Sequence, residues 1–223
     1  MQKWKTELHC HTAASPDCLV KVEDLLRVAK MRGLQRLAIT DHNTLRGAMY
    51  AKSLEPELII IGEEILTTRG ELLAFFVKEE IPRGLTPIEA IRRLRDQDAF
   101  ISVSHPFDRQ RHGWELQDLT EISPLVDAIE IFNARSFIAA INHQAKNFAE
   151  ANNLRGTVGS DAHSLMEVGR SYQILAPFSD AATMRESFLN PEYVKKTSSA
   201  MIRITSTYAK WVKRIFGKER FPI

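Results

Sequence analysis

Along the first 175 residues, short β-branched or apolar runs alternate with segments of helical period. This alternation narrows the available folds more than any other feature, because it is the pattern of βαβ units laid into a parallel sheet or barrel. The runs are Thr6–His11, Leu37–Thr40, Leu58–Ile61, Glu71–Val77, Phe100–Ser104, Ala128–Phe132 and Thr157–Gly159. Val22, Leu25, Leu26 and Ala29 recur at helical spacing and predict a helix over 21–32, which Gly33 ends. Thr86-Pro87-Ile88-Glu89 is a capping box with proline at the first helical position and predicts a helix over 87–97. Further helices are expected near 115–122 and 136–152. Only Leu66-Thr67-Thr68-Arg69-Gly70 separates the third run from the fourth, too little for a parallel crossover, so those two form a hairpin. The expectation is an α/β chain of about seven strands with no internal repeat.

At 223 residues, with 44% hydrophobic and 26% charged residues, the chain has material for one large core. Charge divides it in two. Residues 195–223 carry Lys195, Lys196, Arg203, Lys210, Lys213, Arg214, Lys218 and Arg220 against Glu219, a net of 8 − 1 = +7, which leaves 22 − 27 = −5 for residues 1–194. The domain reading is therefore a barrel over 1–190 and a basic amphipathic extension over 191–223. In the extension Ile204, Tyr208, Trp211 and Ile215 recur at helical spacing. The plainest reading packs this stripe on the barrel; anionic lipid or nucleic acid are the other partners such a helix fits. Cys10 and Cys18 have no further cysteine to pair with, no signal-peptide core opens the chain, and no apolar run is long enough to span a bilayer. These features point to a reducing cytoplasm.

Five of the 7 histidines stand at or just after the carboxyl end of an expected strand: His9, His11, His42, His105 and His163. In a parallel sheet or barrel these ends open on one face, so residues distant in sequence converge there. His9-Cys10-His11 has period two, which points both imidazoles to one side and Cys10 to the other. Asp17 follows in a Ser-Pro-Asp turn. Asp41, before His42, reads on its own as a helix cap. Of Glu63 and Glu64 only one faces inward, and periodicity across Gly62 does not say which. Glu71 opens the return strand of the hairpin, either beside Glu64 or as an exposed acid. Pro106 holds His105 extended, and Asp161-Ala162-His163 repeats the one-apart spacing.

The segments His9–His11, Thr40–Asn43, Gly62–Ile65, Ser104–Phe107, Glu130–Arg135 and Gly159–Ser164 together resemble the PHP (polymerase and histidinol phosphatase) family of metal-dependent phosphoesterases, in the family's order over residues 5–175. The resemblance implies a distorted (βα)7, TIM-like barrel holding two or three divalent ions at the carboxyl ends of its strands. By resemblance one ion takes His9, His11, Glu64 and Asp161; a second takes Glu64, Glu71 and His105; a third takes Asp17, His42 and His163. It selects Glu64 over Glu63. Many members carry histidine where this chain has Glu71. Mixed imidazole and carboxylate donors suit Mn, Fe or Zn.

The implied reaction is hydrolysis of a phosphate ester through a metal-bridging hydroxide, with the bridging Glu64 and Asp161 as catalytic residues and His112 protonating the leaving group. Arg109, Arg111, Arg135 and Arg170 are the candidate phosphate clamps, since guanidinium forks match phosphate oxygens. Glu130 and Asn133 are expected to orient ligands or to shape the loop. The substrate is read as a small phosphorylated metabolite or nucleotide. The alternatives are a nuclease trimming single-stranded nucleic acid, for which the basic tail is the hint, and a non-catalytic metal-binding module.

Overall fold

The computed structural model describes residues 2–199 and 202–217. Nine strands form one sheet: β1 (Trp4–Glu7), β2 (Arg36–Ile39), β3 (Ile59–Leu66), β4 (Glu71–Phe75), β5 (Phe100–Val103), β6 (Ala128–Asn133), β7 (Arg155–Gly159), β8 (Tyr172–Leu175) and β9 (Glu192–Val194), in the order β7-β6-β5-β4-β3-β2-β1-β8-β9. Strands β1, β2 and β3 run parallel, as do β5, β6 and β7. Between them β4 runs antiparallel to both neighbours, which is the expected hairpin. Helices α1 (Val22–Met31), α2 (Arg46–Leu54), α4 (Leu116–Ile122) and α5 (Ala139–Ala151) are crossovers between parallel strands, and α3 (Pro87–Arg95) joins the antiparallel β4 and β5. Helices α6 (Ala181–Ser187) and α7 (Arg203–Phe216) come after β8. The Thr86 cap of α3 forms in full with Glu89, and Gly33 ends α1 at φ +68°, a conformation open to glycine without strain.

The seven expected strands are present, and β8, β9, α2 and α6 join them. The sequence division at residue 190 falls between α6 and β9, so the last strand of the sheet lies on the tail side of it.

Period-two alternation assigns each strand residue to a layer. Leu37, Ile39 and Ile59 pack outward with Leu25, Leu26, Ala48 and Ala51 of α1 and α2. Leu72, Ala74, Ile101, Val103 and Ile129 pack outward with Ala90, Ile91, Leu94, Leu119 and Ala149 of α3, α4 and α5. The opposite phase fills the barrel interior with Leu8, Ala38, Ile60, Leu73, Phe75, Phe100 and Ala128, and α6 closes its floor with Met184 and Phe188. Truncating one of these buried rings to alanine costs about 3–5 kcal/mol.

The barrel closes through side chains where backbone pairing lapses between β7 and the β1–β8 pair. A parallel bridge joins Cys10 to Ala162. Below it, Gln173 accepts from the Val158 amide (2.7 Å) and donates to the carbonyls of Val158 and Thr6 (2.9 Å each). Glu7 accepts from the Ser160 amide and hydroxyl and from the Gly169 amide. Buried backbone groups at the seam thus find partners in side chains rather than in a ladder.

Candidate active site

The inward phase that carries Ile60 at the barrel's centre carries Glu64 two steps further, at its carboxyl end. Glu63 points the other way, into the packing under residues 76–81, where it accepts from the Ile81 amide (3.1 Å). All nine residues proposed as metal ligands converge above the barrel core. His9 Nε2 and His11 Nε2 lie 3.4 Å from the same Glu64 oxygen and 3.6 and 3.4 Å from Asp161 Oδ1. The other Glu64 oxygen is 3.2 Å from His105 Nε2, which lies 3.5 Å from Glu71. Asp17 spans His42 Nε2 (3.5 Å) and His163 Nε2 (3.3 Å). His42 sits between groups, with its Nδ1 3.1 Å from Glu64. Ligand atoms lie within 4.8 Å of one another in three triads: His11, His42 and His163; His9, His11 and Asp161; His42, Glu64 and Glu71.

The donor set fits divalent cations on an observation independent of family. Three of the imidazoles have their outer nitrogens engaged: His9 Nδ1 donates to Glu130 (2.9 Å), His11 Nδ1 to the Ser15 hydroxyl (3.1 Å) and His163 Nδ1 to the Asp161 carbonyl (2.9 Å). A proton on Nδ1 leaves the Nε2 lone pair for the centre. There the Nε2 atoms of His9 and His11 and Asp17 Oδ1 are buried without a hydrogen-bond partner, an expensive arrangement that a shared cation resolves. Charge tells the same story. Burial disfavours the ionised forms, yet His9, His42 and His105 hold Glu64, and His9, Arg111, His11 and His163 hold Asp161, well below the usual carboxylate range. His9 is raised against its burial by Asp161, Glu64 and Glu130. Glu71 is pushed up by burial and by Glu64. Burial and two neighbouring imidazoles push His11 down to about 3, so it stays neutral and able to ligate.

Backbone geometry serves these positions. Asp161 takes a left-handed conformation (φ 50°), one that aspartate tolerates better than most residues and that turns its carboxylate inward. Gly159 lets the chain pass close to His9: a Cβ there would lie 2.4 Å from the His9 Cβ and 2.6 Å from Glu130 Oε1. Glu130 holds three groups at once, His9 Nδ1, the His105 amide (2.9 Å) and Asn133 Nδ2 (3.0 Å), and Asn133 also donates to Asp161 (3.1 Å). Both residues occupy the orienting positions expected of them. Asp41 is not a helix cap. The residue before α2 is Leu45, and Asp41 is buried, accepting from the Thr12 amide and hydroxyl and the Ser15 hydroxyl, which ties the loop carrying Asp17 to β2.

A cavity of about 420 Å³ opens over the centre. Arg111, Arg135 and His112 line it. Arg111 pairs with Asp161 and Asp108 and donates to Ser136 (2.9 Å). Arg135 is buried and bonded to Glu167 (3.3 Å) and to the Ser206 hydroxyl of α7 (2.8 Å), so it is a strut as much as a clamp. Arg109 and Arg170 do not line the cavity: the first is an exposed partner of Glu115, and the second reaches the Thr197 carbonyl (3.5 Å). Polar and charged lining residues that were not expected include Arg83 of the loop before α3, Gln110, and Ser206, Thr207 and Lys210 of α7. The +7 charge of the tail was the only sequence signal for Lys210, which stands 3.5 Å from Asp17.

The stripe expected to pack on the barrel faces outward. Helix α7 docks through Ala209, Val212 and Lys213, whose ammonium donates to the Ala13 (2.6 Å) and Ser15 (2.5 Å) carbonyls, while Ile204, Tyr208, Trp211 and Ile215 are exposed. Two carbonyls of an irregular loop need a donor there, and the Lys213 ammonium supplies it to both.

Known proteins agree with the fold and with the motifs. The PHP domain pattern matches residues 7–132, and a PHP-associated pattern matches 140–190. An uncharacterized protein of Methanocaldococcus jannaschii, MJ1587, is 36% identical over 158 residues, 64% of this chain and 90% of that protein. Two solved structures share the fold at low identity. One is a candidate metal-dependent phosphoesterase from Bifidobacterium adolescentis, with TM-score 0.61, 17% identity, and coverage of 88% of this chain and 97% of that one. The other is the lesion-specific endonuclease PfuEndoQ from Pyrococcus furiosus, with TM-score 0.59, 15% identity, and coverage of 86% and 58%. The barrel, its histidine-bearing strand ends and the matched pattern make this chain a member of the PHP domain family.

Proposed function

We propose that the chain is a phosphoesterase that uses two or three divalent ions, Mn, Fe or Zn, to hydrolyse the phosphate ester of a small metabolite or nucleotide. The observation that carries this reading is the convergence of nine imidazole and carboxylate donors, with the Nε2 atoms of His9 and His11 buried and unpartnered, beneath a cavity lined by Arg83, Arg111 and Lys210. When bound, divalent ions supply Lewis-acid polarisation of phosphoryl oxygens and lower the pKa of water. His9, His11, Glu64 and Asp161 would hold one ion, His105 and Glu71 with Glu64 a second, and Asp17, His42 and His163 a third. Glu64 and Asp161 would orient a water for attack on phosphorus.

Cations at the cavity wall recognise the dianion. Arg111, already fixed by Asp108 and Ser136, presents a preorganised guanidinium, and Lys210 adds a more mobile charge. Arg135 contributes charge while holding α7. His112, at the cavity wall, delivers a proton to the leaving oxygen. Residues 1–190 would supply the metal ligands, and Ser206, Thr207 and Lys210 of α7 complete the pocket wall.

The experiment is metal analysis of purified protein after Mn loading, together with a phosphoester panel of nucleoside phosphates, bisphosphates, sugar phosphates and short oligonucleotides. At least two bound ions and chelator-sensitive turnover of a small phosphomonoester are expected. Turnover confined to oligonucleotides would replace this reading with a nuclease; fewer than two ions and no turnover in any class would leave a non-catalytic module.

A further inference from the structure

We propose that the outward side of α7 is a docking surface for an anionic lipid membrane. The helix has two faces with separate tasks. Ala209, Val212 and Lys213 fix it to the barrel, and Ser206, Thr207 and Lys210 face the cavity. Its remaining side exposes Ile204 (65%), Tyr208 (55%), Trp211 (56%) and Ile215 (54%), spaced four, three and four residues apart in one continuous stripe. The Tyr208 and Trp211 rings lie 6.3 Å apart, so the aromatic centre of the stripe is unbroken. Phe216 extends it, 49% exposed. The barrel does not use this surface, since the helix is held from the other side.

Charge and composition select the occupant. Arg214 is exposed on the same helix outside the cavity lining, within a segment (195–223) whose sequence carries a net +7. A second copy of the chain would bring one +7 segment against another across the stripe, a repulsion that an apolar contact this small does not favour. A nucleic acid strand wants a track of cations beside the aromatics on which its bases stack, and here Tyr208 and Trp211 are flanked along the stripe by the aliphatic Ile204 and Ile215 instead. A bilayer interface matches each part: aliphatic side chains enter the acyl boundary, Trp211 and Tyr208 sit at headgroup level, and Arg214 meets anionic headgroups. Among the described residues no helix is long and apolar enough to cross a membrane, so the attachment is peripheral. Because the helix's other side lines the cavity, attachment brings the cavity close to the lipid surface.

The test is co-sedimentation of the full chain with vesicles of phosphatidylcholine alone and of phosphatidylcholine with phosphatidylglycerol. Binding to the mixed vesicles, weakened by salt and at least about tenfold stronger than to the neutral ones, is expected. Trp211→Glu and Ile204→Asp change exposed side chains, so their melting temperatures should match wild type, while each lowers partitioning by about tenfold or more. Absence of binding to anionic vesicles at low salt overturns the proposal, as does undiminished binding by both variants. A dimer in sedimentation velocity, or retention of an oligonucleotide, that Trp211→Glu abolishes while vesicles remain unbound assigns the stripe to those partners instead.

Discussion

Glu63 and Glu64 are neighbours in β3 with carboxylates buried on opposite sides of the sheet. Glu64 stands within 3.4 Å of His9, His11, His42 and His105, whereas Glu63 meets the Ile81 amide at 3.1 Å. On the proposed reading, changing the first removes a metal ligand, whereas changing the second alters only a buried carboxyl bonded to Ile81. Glu64→Gln is expected to lose at least one equivalent of divalent ion and about 100-fold or more in turnover, measured by metal analysis and steady-state kinetics. Glu63→Gln should retain both.

The Glu63 variant also has a pH signature. Burial pushes this carboxyl from 4.5 up to about 8. Between those values the folded chain keeps a proton that the unfolded chain has released, so stability falls as pH rises through the window. Glutamine has no proton to lose and still accepts from Ile81. Thermal melts should show Glu63→Gln equal to wild type near pH 4 and more stable by about 1–3 kcal/mol at pH 8 and above. A variant that is less stable at both ends would mean that Glu63 is ionised and paired in the folded chain.

Asp127 behaves in the opposite sense. It is partly buried, which raises its pKa, but Arg185 (2.8 Å), Arg95 (2.7 Å) and the Ile101 amide (2.9 Å) hold it below 3.8. The stability it contributes is present above pH 3.8 and disappears as pH falls through the lower folded value. Asp127→Asn should therefore destabilise by about 1–3 kcal/mol at pH 7, with the gap to wild type closing in acid, read by denaturant titration at several pH values.

The seam residue Gln173 offers a test of barrel closure remote from the ligands. Gln173→Leu keeps the volume and strips three buried hydrogen bonds from Thr6 and Val158. A loss of about 2–4 kcal/mol is expected, with amide exchange accelerating first in β1 and β7.

What the sequence made legible follows from how local each signal is. The His-x-His and Asp-x-His pairs at 9–11 and 161–163 declared themselves because period two at a strand end needs no tertiary knowledge. The hairpin before Glu71 followed from loop length alone. Helix α2 was missed because no capping side chain precedes it, its first neighbour being Leu45, and its buried side is only Gly47, Ala48 and Ala51. Strand β8 was missed because Gln173, a buried polar residue, interrupts its apolar pattern, and the reason for that glutamine lies across the barrel at Val158. The choice between Glu63 and Glu64 turned on a phase that Gly62 hid and that Ile60 reveals once the barrel interior is known. The orientation of α7 was misread for a related reason: its inward side is set by Lys213 meeting two carbonyls nearly 200 positions away. Arginines were the least legible, since Arg109, Arg135 and Arg170 are distinguished only by the partners they find.

Lys210 and Arg135 separate recognition from support within the cavity wall. Lys210 is an exposed side chain whose ammonium stands 3.5 Å from Asp17, and no other residue of the fold is built around it. A metal ion on Asp17 would take that carboxylate's charge and leave the ammonium for the substrate's anion. Lys210→Met keeps the stem and removes the charge, so KM for a phosphomonoester should rise by about 5–20-fold with kcat changed by less than about threefold. Metal content and melting temperature should hold, and inorganic phosphate should inhibit correspondingly less. Arg135 is bonded on one side to Glu167, which accepts from the His163 amide (3.0 Å), and on the other to Ser206 of α7. Arg135→Ala should therefore lower the melting temperature and the occupancy of the Asp17, His42 and His163 site together, because it releases α7 and the His163 loop at once. An unchanged KM in Lys210→Met would place the lysine outside the substrate's reach; a KM effect in Arg135→Ala with full stability and full metal content would make Arg135 a clamp rather than a strut.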